Sequence, residues 1–182
     1  RYQQVAEEIV TYVLRDLRHP DGGFFSAEDA DSEGIEGKFY CWSLAELREV
    51  CGDDADEVIR YYGATETGNF EDPHTGFRGN ILHAVHRDEP RPEAVARQIP
   101  RLLAARSTRV RPGLDDKVLL GWNGLFLPAL AEAAFVSEPD DWMDAARANA
   151  RFLVSAMRRD DGRLLRSWQG GRAHLLGYAE DH

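Results

Sequence analysis

The segment Val13-Leu-Arg-Asp-Leu-Arg-His-Pro-Asp-Gly-Gly-Phe24 has a counterpart later in the chain, Leu153-Val-Ser-Ala-Met-Arg-Arg-Asp-Asp-Gly-Arg-Leu164. Both run from a helical stretch through basic residues and an Asp-Gly turn to an apolar extended piece. Recurrence of one helix-turn unit predicts a toroid of helical hairpins, in which each unit buries its apolar stripe against the next. A chance similarity between two helix ends is the alternative interpretation.

Most of the chain has the apolar periodicity of helices. The spacing predicts helices over residues 5–17, 43–50, 54–62, 93–109, 119–135 and 142–157. Ser43 and Glu46 have the spacing of a capping box, and Gly63 should end the third helix as a left-handed cap. Pro100 should kink or split the fourth helix. The fifth helix is apolar on nearly all sides, which predicts burial against other helices.

The remaining segments indicate loops and turns. Residues 64–92 contain turn-forming residues throughout and are predicted to be a loop. Gly170-Gly171 separates two short apolar stretches, which is typical of a β-hairpin. The predicted fold class is therefore mainly all-α, with short β-hairpins in the loops.

Composition limits the class of protein. The chain has 182 residues, 43% of them apolar, so it can bury a substantial core. The 22 basic and 32 acidic residues give a formal net charge of −10, which disfavours nucleic acid and anionic membranes as partners. No apolar run approaches the ~20 residues of a membrane span, and Cys41 and Cys51 lack the spacing of a zinc site or a redox dithiol. We therefore expect a cytoplasmic protein with free thiols and without a metal or a cofactor.

The first candidate functional segment is acidic, Phe24-Phe-Ser-Ala-Glu-Asp-Ala-Asp-Ser-Glu-Gly34. A calcium loop of the EF-hand type is disfavoured, because Tyr40 stands where the twelfth-position Glu is required. A solvated turn whose side chains cap their own backbone is the structural interpretation. The functional interpretation concentrates on Asp29 and Asp31, with Trp42 as a flat apolar face for a sugar ring. A core tryptophan explains Trp42 equally well.

The second candidate segment, Asp115-Asp-Lys-Val-Leu-Leu-Gly-Trp-Asn-Gly124, begins the otherwise apolar fifth helix. Asp115 or Asp116 could cap that helix and pair with Lys117, which is the structural alternative. Asn123 is harder to explain, because an amide in a buried helix needs polar partners from a ligand or a neighbouring loop. In the loop 64–92, Asn69 and Glu71 either line the same cleft or only close a turn.

Several motifs in a fixed order resemble a known family. Besides the two candidate segments, they are Glu36-Gly-Lys-Phe-Tyr-Cys-Trp42, Gly68-Asn-Phe-Glu71 and Gly79-Asn-Ile-Leu82. Together they span nearly the whole chain and resemble the thioredoxin-domain-containing, spermatogenesis-associated-type proteins. The resemblance implies a thioredoxin-like domain followed by an (α/α)6 toroid similar to N-acylglucosamine 2-epimerases and six-hairpin glycosidases.

The resemblance also implies a domain organisation. Residues 1–182 would be a fragment of one (α/α)6 toroid domain, without the upstream thioredoxin-like domain and without the later hairpins. Chain ends that lack helix start and stop signals fit this expectation. One departure concerns Asp181-His182, where family members usually carry an Asp-Tyr pair. Tyr178 lies close by but does not match that position.

The expected function is that of a carbohydrate-active enzyme, either a glycoside hydrolase or a sugar isomerase or epimerase. A hydrolase needs two carboxyl groups about 5 Å or about 6.5–9.5 Å apart. The catalytic candidates are Asp29, Asp115 and Asp181. The residues expected to contact a sugar or another polyhydroxylated ligand are Asp31, Trp42, Asn69, Glu71, Asp116, Lys117, Trp122, Asn123 and Tyr178. The alternative is a non-catalytic toroid that binds a ligand or a protein and accompanies a thioredoxin-like redox domain.

Overall fold

The structure is a computed structural model that describes residues 2–85, 88–137 and 140–181, so His182 lies outside the described residues. Six α-helices lie in the described chain: α1 (Tyr2–Asp16), α2 (Leu44–Cys51), α3 (Ala55–Tyr62), α4 (Glu93–Ser107), α5 (Leu120–Ser137) and α6 (Asp140–Ala156). The strands are β1 (Ala27–Glu28), β2 (Asp31–Ser32), β3 (Ile35–Glu36), β4 (Cys41–Trp42), β5 (Phe70–Glu71), β6 (Arg78–Ile81), β7 (Leu114–Asp115), β8 (Val118–Leu119), β9 (Leu165–Gln169) and β10 (Arg172–Leu176). None of the described helices has the length and apolarity needed to cross a membrane.

The predicted fold class, mainly all-α and part of an (α/α)6 toroid, is wrong. The chain is mixed α/β, because antiparallel sheets join segments that the sequence predicts as loops. In the predicted loop 64–92, β5 and β6 pair with each other, and β6 also pairs with β4. Most of these strands are two residues long, and a strand that short cannot display the alternation of apolar and polar residues that predicts a strand.

The chain divides into two compact units, which comprise residues 1–27 with 114–182, and residues 28–113. The first unit contains α1, α5 and α6 and the sheet β8-β9-β10. The second contains α2, α3 and α4, the hairpin β2-β3 and the sheet β5-β6-β4. Each unit has its own buried apolar clusters.

Two clusters form the core of the first unit. One joins α1, α5 and α6 and includes Leu130, Trp142 and Ala145. The other joins α6 to the sheet β8-β9-β10 and includes Val118 and Met157, both fully buried. The sheet therefore provides part of the core of this unit. The periodicity of apolar residues by itself predicts a core formed mainly by helices.

The repeated sequence segment forms the same turn twice in the first unit. The amide of His19 donates to the carbonyl of Gly23, and the amide of Arg159 donates to the carbonyl of Arg163. In both copies a glycine with positive φ, Gly22 and Gly162, donates back to the first residue of the turn. The two copies of the segment therefore share the geometry of this turn.

Helix α5 differs from its prediction. Leu130 and Ala134 are buried as expected. Trp122, Leu125 and Phe135 are 58%, 77% and 80% exposed, so the expectation that this helix is covered on nearly all sides is wrong within the described structure. The sequence of α5 is apolar on all sides, but its neighbours in the unit pack against one side only. The helix therefore exposes an apolar face to solvent.

The second unit confirms several local predictions. Helix α2 begins with a capping box in which Ser43 Oγ accepts from the Glu46 amide and the Glu46 carboxylate accepts from the Ser43 amide. Helix α3 ends at Gly63, which has φ of 60° in the left-handed region. Helix α4 contains Pro100 but continues past it as one helix, so the expected split does not occur. Packing of Val95 and Leu102 in the core outweighs the hydrogen bond that proline removes.

Candidate functional site

A pocket of about 260 Å³ lies in the first unit, beside the start of α5. Its lining residues are Leu119, Gly121, Trp122, Leu125, Arg166 and Asp181. Two of these, Trp122 and Asp181, are predicted site residues that are far apart in the sequence. An exposed indole beside a charged pair is not needed to form the core of a small unit, which makes this pocket the candidate site.

The first turn of α5 gives Trp122 and Asn123 opposite environments. Successive residues of a helix point about 100° apart, so one can face solvent while the next faces the core. The Trp122 side chain is 58% exposed at the pocket, whereas Asn123 is 3% exposed. The indole therefore offers the ligand-facing surface, and the amide belongs to the interior.

Strand β9 brings Arg166 to the pocket. Leu119 of β8 pairs with Ser167 of β9, which places the residue before Ser167 next to the start of α5. The Arg166 guanidinium lies 4.7 Å from the centre of the Tyr178 ring, a cation–π distance. The predicted residue Tyr178 does not line the pocket, but its ring contacts a side chain that does.

Asp181 is held firmly at the pocket. Its Oδ2 atom accepts a 3.0 Å hydrogen bond from Arg166 Nη1 and a 2.9 Å hydrogen bond from the backbone amide of Tyr178. The side chain is only 3% exposed. Both of these hydrogen bonds end on Oδ2.

The other predicted residues of this segment are partnered within the unit. Lys117 Nζ lies 2.9 Å from Asp115 Oδ2, and this hydrogen bond lowers the pKa of Asp115 below its ordinary value. Asp115 is therefore ionised at neutral pH, a state that suits a base or a nucleophile and not a general acid. Asp116 accepts a 2.6 Å hydrogen bond from Gln169 of β9. None of these residues lines the described pocket.

Asn123 has a structural task. Its Oδ1 accepts from the Phe24 amide at 2.8 Å and from Asn149 Nδ2 at 2.9 Å. Its Nδ2 donates to the carbonyls of Phe24 and Leu119. The predicted need for polar partners is confirmed, and a neighbouring loop and helix α6 supply them in place of a ligand.

The remaining predicted residues belong to the second unit. Asp29 is exposed and its Oδ1 accepts from the Asp31 amide at 3.4 Å, while Asp31 pairs with Glu36 in the hairpin β2-β3. Asn69 exchanges hydrogen bonds with the backbone of Ile81, and Glu71 forms an ion pair with Arg78. These interactions are those of turns and strand ends.

Trp42 is also part of the second unit. It is 4% exposed, packs in the core of that unit, and carries the Arg109 guanidinium 4.1 Å from its ring centre. The structure thus favours the core interpretation of this tryptophan over the role of an open sugar platform.

Sequence reasoning missed Arg166, Leu119, Gly121 and Leu125 as pocket residues. Arg166 lies in a hairpin strand with no motif around it, and its pairing with Asp181 depends on the path of the chain after β10. Leu119 lies within the segment 115–124, and Leu125 follows it directly, so extension of the motif by one residue would have found Leu125.

The pocket combines the flat apolar face of the Trp122 indole with one positively charged group, Arg166, and one negatively charged group, Asp181. Sugars bind to such surfaces through C–H groups packed on an aromatic ring and through hydroxyls that meet carboxylate and guanidinium groups. In the described residues no group of three or more His, Cys, Asp or Glu is arranged to hold a metal ion.

Comparison with known proteins found similar proteins, but no family model matches the chain. The chain is 32% identical over 93% of its length to spermatogenesis-associated protein 20 of Homo sapiens, and 30% identical over its whole length to the Mus musculus protein of that name. A Caenorhabditis elegans protein described only as uncharacterized is 29% identical over 91% of the chain. The chain spans 26% to 28% of the length of these three relatives.

Proposed function

Similarity along the whole chain supports its membership of the spermatogenesis-associated protein 20 family, and from this premise we propose that the pocket at Trp122 binds a sugar or a similar polyhydroxylated molecule. The relatives' names state no substrate or reaction, so the proposal rests on the chemistry of the pocket. The observation that carries it is the exposed Trp122 indole next to the Arg166–Asp181 pair.

Each lining group has a distinct task in this proposal. The Trp122 ring packs against the C–H face of a sugar ring, with Leu125 extending the apolar surface. Arg166 donates to ring or exocyclic oxygens, and Asp181 Oδ1 accepts from hydroxyls. Because Tyr178 and Asp181 hold Arg166 in place, little side-chain entropy is lost when a ligand binds.

Catalysis requires more than this pocket provides from its described lining. Glycoside hydrolysis uses two carboxyl groups, and Asp181 is the one carboxylate among the described lining residues. Asp115, in the same unit, is an ionised carboxylate that could serve as the second group if substrate extends from the pocket towards the start of β8. The more specific form of the proposal is therefore that the protein is a carbohydrate-active enzyme, either a glycoside hydrolase or a sugar isomerase or epimerase.

A second candidate is a non-catalytic binding unit that accompanies a thioredoxin-like domain in the longer protein. The observation that favours it is the commitment of Asp181 Oδ2 to Arg166 and the Tyr178 amide, which fixes the carboxylate as a binding group. Binding of a sugar without turnover in the full-length protein would select this candidate.

The test of binding uses saturation-transfer NMR with a library of monosaccharides and short oligosaccharides. We expect at least one sugar to bind, and Trp122→Ala to weaken its binding about tenfold, since the indole face removes apolar area of the sugar from water at about 25 cal/mol per Å². Phe135→Ala is the matched control, because Phe135 is also an exposed aromatic residue of α5 and lies outside the described pocket. Failure of every sugar to bind, or equal effects of the two variants, would disprove the proposal.

The test of catalysis is separate. A sugar that binds is incubated with the full-length protein, and its products are followed by NMR. Turnover that is lost in both Asp181→Asn and Asp115→Asn, with binding retained in Asp115→Asn, supports a two-carboxylate enzyme. Binding without any product supports the non-catalytic candidate.

A further inference from the structure

Two non-glycine residues in the described part of the chain have positive φ, Glu33 at 54° and Leu175 at 60°. Glu33 lies in the two-residue turn between β2 and β3, and favoured turns of this length have a left-handed backbone. Leu175 lies inside strand β10 instead. A bulky aliphatic residue in the left-handed region is strained, so no hairpin turn explains its conformation.

The strain at Leu175 lies next to the Trp122 pocket. Two flanking pairs set the register of β10 against β9 here: His174 with Ser167, and Leu176 with Leu165. This register places Leu175 opposite Arg166, the residue of β9 that lines the pocket. The Leu175 side chain is 66% exposed, so its own burial does not offset the strain. A left-handed residue bends an antiparallel strand, so the chain changes direction beside the pocket.

Residues 177–181, the strap, follow β10 and return to β9. Asp181 Oδ2 accepts from Arg166 at 3.0 Å and from the Tyr178 amide at 2.9 Å. The Tyr178 ring centre lies 4.7 Å from the same guanidinium. Asp181 is the one strap residue among the described residues that line the pocket. The pocket therefore contains this carboxylate only while the strap is docked on β9.

We propose that the strap is a movable edge of the Trp122 pocket and that Leu175 is its positioning residue. The left-handed backbone of Leu175 directs the chain so that Asp181 reaches Arg166, and the strain of that backbone opposes docking. The contacts that Tyr178 and Asp181 make with Arg166 hold the strap in place against this strain. The docking itself needs no ligand, whereas its effect on sugar binding rests on the proposed function.

The residue at position 175 should therefore set the balance between the docked and the undocked strap. A Cβ in the left-handed region shifts such an equilibrium by roughly tenfold, and glycine has no such penalty. Leu175→Gly should favour docking, and the β-branched side chain of Leu175→Val should oppose it. Leu175→Asn should also favour docking, because asparagine tolerates this conformation. It keeps a Cβ, so it separates relief of strain from the added flexibility of glycine.

The test measures amide hydrogen exchange by NMR in the full chain without any ligand. The reporter is the Tyr178 amide, which donates to Asp181 in the docked strap. Its protection should rise several-fold in Leu175→Gly and in Leu175→Asn, and should fall about tenfold in Leu175→Val. The amides of helix α6 should keep their protection, which shows that the change is local to the strap and not a change in the stability of the unit.

The same substitutions at Leu176 are the matched control. Leu176 is the next residue of β10, is 45% exposed and has no left-handed backbone. Glycine at an ordinary strand position is destabilising, so Leu176→Gly should lower the protection of the Tyr178 amide or leave it unchanged.

Three results would overturn the proposal. They are unchanged Tyr178 protection in all the Leu175 variants, an equal rise in Leu176→Gly and Leu175→Gly, and parallel changes in the amides of α6. Failure of every sugar to bind would disprove the proposed function instead, and the strap would still be judged by these exchange measurements, which contain no sugar.

Discussion

Arg166 on strand β9 and Asp181 at the end of the described chain form a 3.0 Å hydrogen bond that fixes one edge of the Trp122 pocket. The Asp181 side chain is 3% exposed and the Arg166 side chain is 29% exposed, so the pair is largely shielded from water. Removal of one partner from such a pair leaves the other charge poorly solvated, which costs more stability than the loss of a surface ion pair.

Asp181→Asn should therefore lower the free energy of unfolding by about 1–3 kcal/mol, since a hydrogen bond between charged groups is replaced by a weaker one. Urea unfolding followed by circular dichroism measures the change. Asp144→Asn is the control, because the Asp144–Arg147 pair is exposed and should contribute less than about 0.5 kcal/mol. Equal changes in the two variants would show that the Arg166–Asp181 pair behaves as a surface pair.

Asn123→Ala should destabilise the first unit by roughly 2–4 kcal/mol, because it removes four hydrogen bonds and leaves the buried amide and carbonyl of Phe24 without partners. Asn123→Asp should also be destabilising, since a carboxylate cannot donate to the Phe24 and Leu119 carbonyls. Denaturant midpoints give both values. A loss below about 0.5 kcal/mol in both variants would contradict the structural role of this amide.

Gly22→Ala should cost more stability than Gly34→Ala, although both glycines have positive φ. A Cβ at Gly22 would lie 2.6 Å from the carbonyl oxygen of Ala148, whereas a Cβ at Gly34 would meet open space. The strained backbone costs about 1–3 kcal/mol at either site, and only Gly22 adds a clash with backbone. Thermal unfolding of the two variants tests the order, and a larger loss at Gly34 would contradict it.

Acid should weaken the second unit through Asp72. The Thr75 hydroxyl and the His74 amide donate to this carboxylate and lower its pKa below that of the unfolded chain. A carboxylate with a lowered native pKa stabilises the fold above its unfolded pKa of about 4, and this contribution is lost as the pH falls further.

Asp72→Asn tests this pH dependence. The variant should show a smaller loss of stability between about pH 4 and pH 2 than the unaltered chain, in urea titrations at each pH. Asp53→Asn, an exposed carboxylate of the same unit, should leave the slope unchanged. An unchanged slope in Asp72→Asn would show that the Thr75 and His74 bonds do not govern acid sensitivity.

Local rules predicted the helices and their ends well. The capping box at Ser43, the left-handed Gly63 and the hairpin at Gly170-Gly171 depend on residues within a few positions of one another. The turn repeated at residues 19–23 and 159–163 was visible for the same reason. An extended segment at residues 38–42 was predicted and contains β4, but β5 and β6 were missed within the predicted loop 64–92. Strand β5 is only two residues long, and β6 pairs with β4 about 40 residues earlier in the chain, so neither has a local signal.

The candidate site was predicted only in part. The Trp122 motif was predicted from its residue types and Asp181 through the family resemblance, but Arg166 was not predicted. Trp42 and Asn123 are used in packing and internal hydrogen bonds. Whether a tryptophan or an amide faces a ligand or the core depends on which neighbours cover it, and sequence periodicity does not contain that information.

The sequence by itself determined the helices, their caps and the repeated Asp-Gly turn, because backbone propensity and hydrogen bonding act within one or two turns of chain. Only the tertiary structure decided that strands join the loops into sheets, that α5 has an open face, and that Arg166 meets Asp181 beside Trp122. These features arise from contacts between distant segments, whose energies depend on burial and geometry that exist only after the chain has folded.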